Sequence, residues 1–242
     1  MIELADIHPD TNVATAEYVR LLGYPRGREL DGRAAELADW ARAWYAENGR
    51  PWVYACEAES FQVCDTSIAI AGAQFHTNRL RRTLERAGAH TVIFAAASAG
   101  AEAEDEAQRL WREEKPDEYF FLEVFAGAVV EHLVTGLGAR MCAWAEERSM
   151  AVLPHYSPGY SGWDIAEQPR LLALLRERAL PGPLEALGSG ALQPKKSQLA
   201  VFGVTRHVDR VARLTELRPC ENCSFGPCQF RRAPYRATCA TL

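Results

Sequence analysis

Two groups of residues in this chain have types and spacings suited to chemistry. The first is Ser157-Pro158-Gly159-Tyr160, followed closely by Gly162, Trp163 and Asp164. Pro158 fixes φ and Gly159 accepts positive φ or a close backbone approach, so the pair predicts a tight turn from which Tyr160 projects. Such a turn lets main-chain groups meet a ligand directly. Gly162 adds a second flexible point, and Asp164 is placed to cap or charge the first turn of a helix through Ala166, Leu171, Leu172 and Leu175. Downstream, Lys195 and Lys196 precede Ser197; such a pair can reach an anionic ligand, although paired lysines at a strand entry usually face solvent.

The second group is Cys-x2-Cys-x4-Cys at Cys220, Cys223 and Cys228, with Cys239 as a distant fourth thiol. A Cys-x-x-Cys turn brings two thiolates to one metal, and Pro219, Gly226 and Pro227 supply the bends that bring a third. Arg231 and Arg232 would offset the thiolate charge. Zinc and an iron–sulfur cluster both accept such ligands, and the spacing does not choose between them. Three close cysteines favour a [4Fe-4S] cluster, with Cys239, another ligand or a small molecule at the fourth iron; a structural zinc clip is the alternative.

These groups need a scaffold, and the hydrophobic pattern suggests one. Helices are expected from Val13 to Leu22 and from Ala34 to Ala46, each stopped by a glycine. WVYACEAESFQV, from Trp52 to Val63, alternates as a hairpin or two short strands would. Phe75 to Ala87 reads as a helix with Leu80, Leu84 and Ala87 on one face and arginines opposite. Thr91 to Ala97 is a continuous apolar run of buried-strand length. Glu102 to Trp111 reads as a short helix, and a long one from Asp117 to Glu147, carrying Phe121, Val124, Phe125, Val129 and Leu133, should cross the core. Pro181 to Gly190 reads as a loop and Leu199 to Val204 as a strand, while Cys56, Cys64 and Cys142 fall in apolar or alternating segments and are expected in the core.

Bulk properties narrow the class. With 242 residues, 48% hydrophobic and 24% charged, the chain has the composition of a packed globular protein. A net charge of −5 argues against broad nucleic-acid binding, despite a local basic patch at Arg231, Arg232 and Arg236. No stretch approaches the roughly 18 uninterrupted apolar residues of a spanning segment, and the acidic start MIELADIHPD is unlike a signal peptide. The expectation is a cytoplasmic protein with no membrane association. The odd cysteine count fits metal binding better than a disulfide framework.

In residue type and order, the Tyr160 segment resembles the activation domain of cobalamin-dependent methionine synthase. That family's signature is an Arg-x-x-Pro-Gly-Tyr turn, an acidic or Gln-bearing helix start and a later Pro-x-x-Ser strand entry. The matches are Pro158, Gly159, Tyr160, Gln168, Pro194 and Ser197. Standalone members are closer still, with Ser157 to Tyr160, Trp163 and Lys196-Ser197 matching. The likeness continues more weakly through TVIFAAASAGAEAEDEAQRL and FFLEVFAGAVVEHL, so that it spans roughly residues 60 to 206.

The expected fold is then α+β, a mixed or antiparallel sheet flanked by helices: a helical region over 1–50, a core over 51–217 and a cysteine-rich appendage over 218–242. The resemblance implies binding of S-adenosylmethionine beside a corrinoid (cobalamin) held by a partner, so that an inactive methionine synthase or methyltransferase is reduced and remethylated. An electron donor is implied as well. Gly159 and Tyr160, with Pro158, match the ligand-contacting turn, Glu123 falls where a family carboxylate meets the ligand, and Lys196 belongs to the Lys-Ser pair. His155 departs, standing where the family uses Arg against the ligand carboxylate; a histidine near its reference pKa of about 6.5 is only partly charged at neutral pH. No Asp-x-His-x-x-Gly corrinoid motif occurs, so the corrinoid should arrive on the partner. The competing readings are an iron–sulfur electron-transfer protein that reduces a corrinoid protein, and a non-catalytic binding module with structural zinc.

Overall fold

The computed structural model describes residues 2–25, 27–175 and 178–211. Cys220, Cys223, Cys228 and Cys239, and with them the appendage over 218–242, lie outside these residues. In chain order the elements are β1 (Glu3–Asp6), α1 (Thr15–Leu21), α2 (Gly32–Asn48), β2 (Trp52–Glu57), β3 (Phe61–Val63), β4 (Ile68–Ile70), β5 (Ala73–Phe75), α3 (Asn78–Ala87), β6 (Ala89–Ser98), α4 (Glu102–Arg112), α5 (Pro116–Glu146) and β7 (Ala151–Val152). A 3-10 turn (Ile165–Glu167), α6 (Gln168–Ala173), β8 (Glu185–Ala186), β9 (Leu192–Gln193), β10 (Ser197–Thr205) and α7 (Val208–Val211) follow.

The central sheet has the order β1-β2-β6-β10-β7, and every neighbouring pair is antiparallel. Successive side chains on a strand point to opposite faces, and here both faces are covered. Val53, Ala55, Ile93, Ala95, Ala97, Ala200, Phe202 and Val204 join one core with α1, α2 and α5. Trp52, Tyr54, Cys56, Val92, Phe94, Ala96, Leu199 and Val201 join a second with α3, α6 and the residues around Trp163. This is why β6 reads as an unbroken apolar run although its partners are antiparallel. The fold is thus α+β with an antiparallel sheet flanked by helices.

α5 is the main post of the first core. Pro116 opens it, Asp117 and Glu118 sit in its first turn, and buried residues recur from Phe121 to Ala145. By length and composition it could cross a membrane, with a mean hydropathy of 1.6 over its most apolar window. Instead it packs against α1, α2, α4 and the sheet.

Several elements differ from the sequence expectation. β2 and β3 do not form a hairpin: β2 is apolar on both faces and lies between β1 and β6, whereas β3 pairs with β4 in a separate three-stranded sheet completed by β5. Phe75 belongs to that sheet, opposite Ile68, and the following helix starts only after Thr77, at Asn78. The interval over 181–190 contains β8, paired to β9. Cys56 is buried and Cys64 half-buried, but Cys142 is exposed on α5, where the apolar pattern of its neighbours masks a position that turns outward.

Candidate functional site

The segment after β7 is fastened to the sheet at Tyr156, whose N–H donates to the Val201 carbonyl (2.9 Å) and whose carbonyl accepts from the Val201 N–H (2.8 Å). Two turns follow in succession. The Tyr160 N–H donates to the Ser157 carbonyl (3.1 Å), and the Trp163 N–H donates to the Tyr160 carbonyl (2.9 Å). The third residue of each turn is a glycine at positive φ, Gly159 at 89° and Gly162 at 79°, as type II turns demand. The Gly159 N–H then donates to the Trp163 carbonyl (2.9 Å), locking the two turns together.

Trp163 is the peg of this unit. It is 2% exposed, lies parallel to Tyr156 with ring centroids 6.4 Å apart, and meets Phe75 edge-on at 6.0 Å. Its Nε1 donates to Glu167 Oε2 (2.9 Å), and the same carboxylate accepts from the His76 N–H (3.0 Å). The Tyr156 hydroxyl donates to the Ser161 carbonyl. Asp164 caps the 3-10 turn as expected, accepting from the Ala166 N–H at 2.9 Å. Gln168 is buried, and its Nε2 donates to the Gly190 carbonyl (2.9 Å), tying α6 to the β8–β9 connection.

Tyr160 projects from the first turn and is held at its hydroxyl. Gln198 Nε2 donates to it (3.1 Å) and to Ser157 Oγ (3.0 Å), while His155 Nε2 lies 3.1 Å from the same hydroxyl. The His155 ring packs on Tyr160 and on Phe202, at centroid distances of 5.9 and 5.8 Å.

A cleft of about 290 Å³ lies in front of this turn. α5 lines it through Gly127, Val130 and Glu131; the turn region contributes Ser157, Pro158, Tyr160 and Ile165; Lys195, Lys196, Ser197 and Gln198 lead into β10 along another side. Lys195 Nζ is 2.7 Å from Glu123 Oε1 and Lys196 Nζ is 3.2 Å from Glu123 Oε2. Burial opposes the Lys195 charge, but the hydrogen bond and attraction of Glu123, with Tyr119 and Glu104 nearby, outweigh it and raise its pKa above the ordinary lysine value. A larger cavity of about 880 Å³ lies by α1 and α2, lined by Arg20, Arg28 and Arg42; Arg42 stacks over Tyr18 and Phe125 and donates to the Val13 carbonyl through Nη1, while its buried Nη2 makes no hydrogen bond among the described residues. The smaller cleft gathers more of the residues singled out by sequence.

Among those residues, Ser157, Pro158, Tyr160, Gln168, Lys195, Lys196 and Ser197 line the cleft. Gly159 forms the turn without lining it, Glu123 reaches it through the two lysines, and His155 stands behind Tyr160. Sequence reasoning missed Gly127, Glu131 and Gln198. The helical period carried a signal for the first two, because steps of four from Glu123 lead to Gly127 and Glu131 on one face of α5. Nothing local marked Gln198, whose place depends on the pairing of β10 with β6 and with Tyr156.

An α+β domain whose antiparallel sheet, long core helix and Pro-Gly-Tyr turn frame one cleft has the fold of a methionine synthase activation domain. Among solved structures, it matches the crystal structure of the MetH reactivation domain bound to AdoHcy, with a TM-score of 0.59 and 12% identity over 86% of this chain and 79% of that one. No family model matches the sequence, and no curated protein matches it.

Proposed function

We propose that this protein binds S-adenosylmethionine in the cleft before Tyr160 and serves, in the cytoplasm, to reactivate a corrinoid-dependent methionine synthase or methyltransferase in trans. The observation that carries this reading is the locked double turn from Ser157 to Trp163, which sets Tyr160 over a cleft bearing both charge signs, in a fold whose solved counterpart holds AdoHcy. The cleft's roughly 290 Å³ is at the lower end of the range of about 300–1,000 Å³ for small-molecule sites, so it takes part of such a ligand and leaves the rest against its open side. Pro158, Gly159 and Tyr160 offer main-chain groups and an aromatic face, Lys196 brings charge and is held by Glu123, and His155 acts by steadying Tyr160.

In the reaction proposed, one electron reaches the partner's cobalt and the methyl group of S-adenosylmethionine passes to it, leaving S-adenosylhomocysteine. The chain needs no nucleophile of its own for this, since orientation and exclusion of water are the protein's contribution. Calorimetric titration with S-adenosylmethionine tests the reading: saturable binding is expected, weakened about tenfold or more in Tyr160→Ala through loss of the ring and of the hydroxyl that meets Gln198 and His155. Absence of heat with the unaltered protein would sink it.

The thiolate spacing at Cys220, Cys223, Cys228 and Cys239 supports a second component, a [4Fe-4S] cluster relaying the electron or a zinc clip. Metal and sulfide analysis of anaerobically prepared protein distinguishes them. Iron with acid-labile sulfide, lost on Cys220→Ala with Cys223→Ala, is the expected result for a relay; zinc or no metal leaves a ligand-binding domain alone.

A further inference from the structure

We infer that Lys195 and Lys196 form the carboxylate clamp of this cleft and that Glu123 is their counter-ion, not a ligand contact. The inference rests on the S-adenosylmethionine reading and assigns which end of the ligand lies where.

Among the described residues lining the cleft, Lys195 and Lys196 are the two that carry positive charge. His155, the nearest candidate on the turn, is occupied behind Tyr160 and packed on Phe202, so it does not present its ring to the cleft lining. Both ammonium groups converge on the one Glu123 carboxylate, and Glu104 lies near Lys195 as well, accepting from its backbone N–H. Each ammonium has three N–H donors, more than the contact with Glu123 uses. Glu123, with a side chain only 14% exposed, is held by both lysines and is not among the described residues lining the cleft. A ligand ammonium seeking Glu123 would have to displace two lysines that already satisfy it.

Glu131 also lines the cleft, two steps of four further along α5 from Glu123. At 1.5 Å rise per residue, Glu123 and Glu131 are separated by roughly 12 Å along the helix axis. Between them Gly127 leaves room for the ligand against the helix. The cleft therefore has a cationic end at the entry to β10 and extends along α5 past Gly127 to Glu131. It suits an elongated ligand that carries a carboxylate at one terminus, and it discriminates against the same ligand without that carboxylate.

The test compares S-adenosylmethionine with its decarboxylated form, which keeps the sulfonium, the adenosine and the amine, by calorimetry on the intact chain and on Lys196→Met and Glu123→Gln. The unaltered protein is expected to prefer the carboxylated ligand by about 10- to 100-fold, the worth of a hydrogen bond to a charged group. Lys196→Met should narrow that preference to within a few-fold while affinity for the decarboxylated ligand holds, which also reports that the cleft is intact. Glu123→Gln should leave the decarboxylated ligand's affinity unchanged. Equal binding of both ligands to the unaltered protein overturns the clamp but keeps the S-adenosylmethionine reading. A loss of tenfold or more for both ligands on Glu123→Gln overturns the counter-ion role and makes Glu123 the ammonium partner. If neither ligand binds the unaltered protein, the underlying reading fails and the clamp falls with it.

Discussion

Trp163→Ala is expected to destabilise the folded protein by about 3–5 kcal/mol, the cost of removing a large aromatic side chain from a packed interior. At 2% exposure Trp163 fills space among Tyr156, Phe75 and the second core, and its indole N–H is committed to Glu167. Both contributions vanish together, and Glu167 loses one of the donors that hold it near His76. For a chain of this size the change corresponds to a fall in Tm on the order of 10 °C. Trp163→Phe separates the two terms: it keeps most of the apolar volume and should cost about 1–3 kcal/mol, through the lost hydrogen bond and a partial cavity. Denaturant titration of the three proteins measures the series. A loss below 1 kcal/mol for Trp163→Ala would mean that the double turn stands without its peg. Because Tyr160 and Trp163 share a backbone hydrogen bond, ligand affinity should fall in the alanine variant even at temperatures where it remains folded.

What the sequence displayed and what it hid divide along physical lines. Pro158 and Gly159 announced their turn because φ preferences are local, β6 announced burial because it is apolar on both faces, and α5 did so through apolar residues recurring from Phe121 to Ala145. Asp164 likewise acts within its own neighbourhood. The charge arrangement was not legible, since Glu123 and its two lysines are far apart in sequence and meet only when the strand entry before β10 lies beside α5. A glutamate flagged as a ligand residue is thereby found already paired. His155 is a similar case: its position next to the turn was plain, but not that the chain turns it toward Tyr160 and Phe202. β1 escaped notice because a four-residue, half-buried edge strand carries too few apolar positions to show a period.

Gly127 gives the largest expected effect on binding. Glycine inside a helix costs about 1 kcal/mol relative to alanine, so its presence in the middle of α5 calls for a compensating reason. The face it occupies supplies one: Glu123 on one side points to Lys195 and Lys196, Glu131 on the other lines the cleft, and Gly127 lies between them at the same helical phase. Because Gly127 lines the cleft, a side chain here is expected to grow into it. Gly127→Leu adds a branched four-carbon group to a space of about 290 Å³ that already takes only part of the ligand, and should lower S-adenosylmethionine affinity by about 100-fold or more, as a steric block that leaves the ligand's polar groups unmatched. Gly127→Ala should show a graded loss together with a gain in helix propensity, so that stability and affinity move in opposite directions. That opposition separates a blocked cleft from a damaged fold, because damage would lower both. Calorimetric titration beside thermal unfolding reads the two quantities on the same samples, and undiminished affinity in Gly127→Leu would place the ligand somewhere other than against α5.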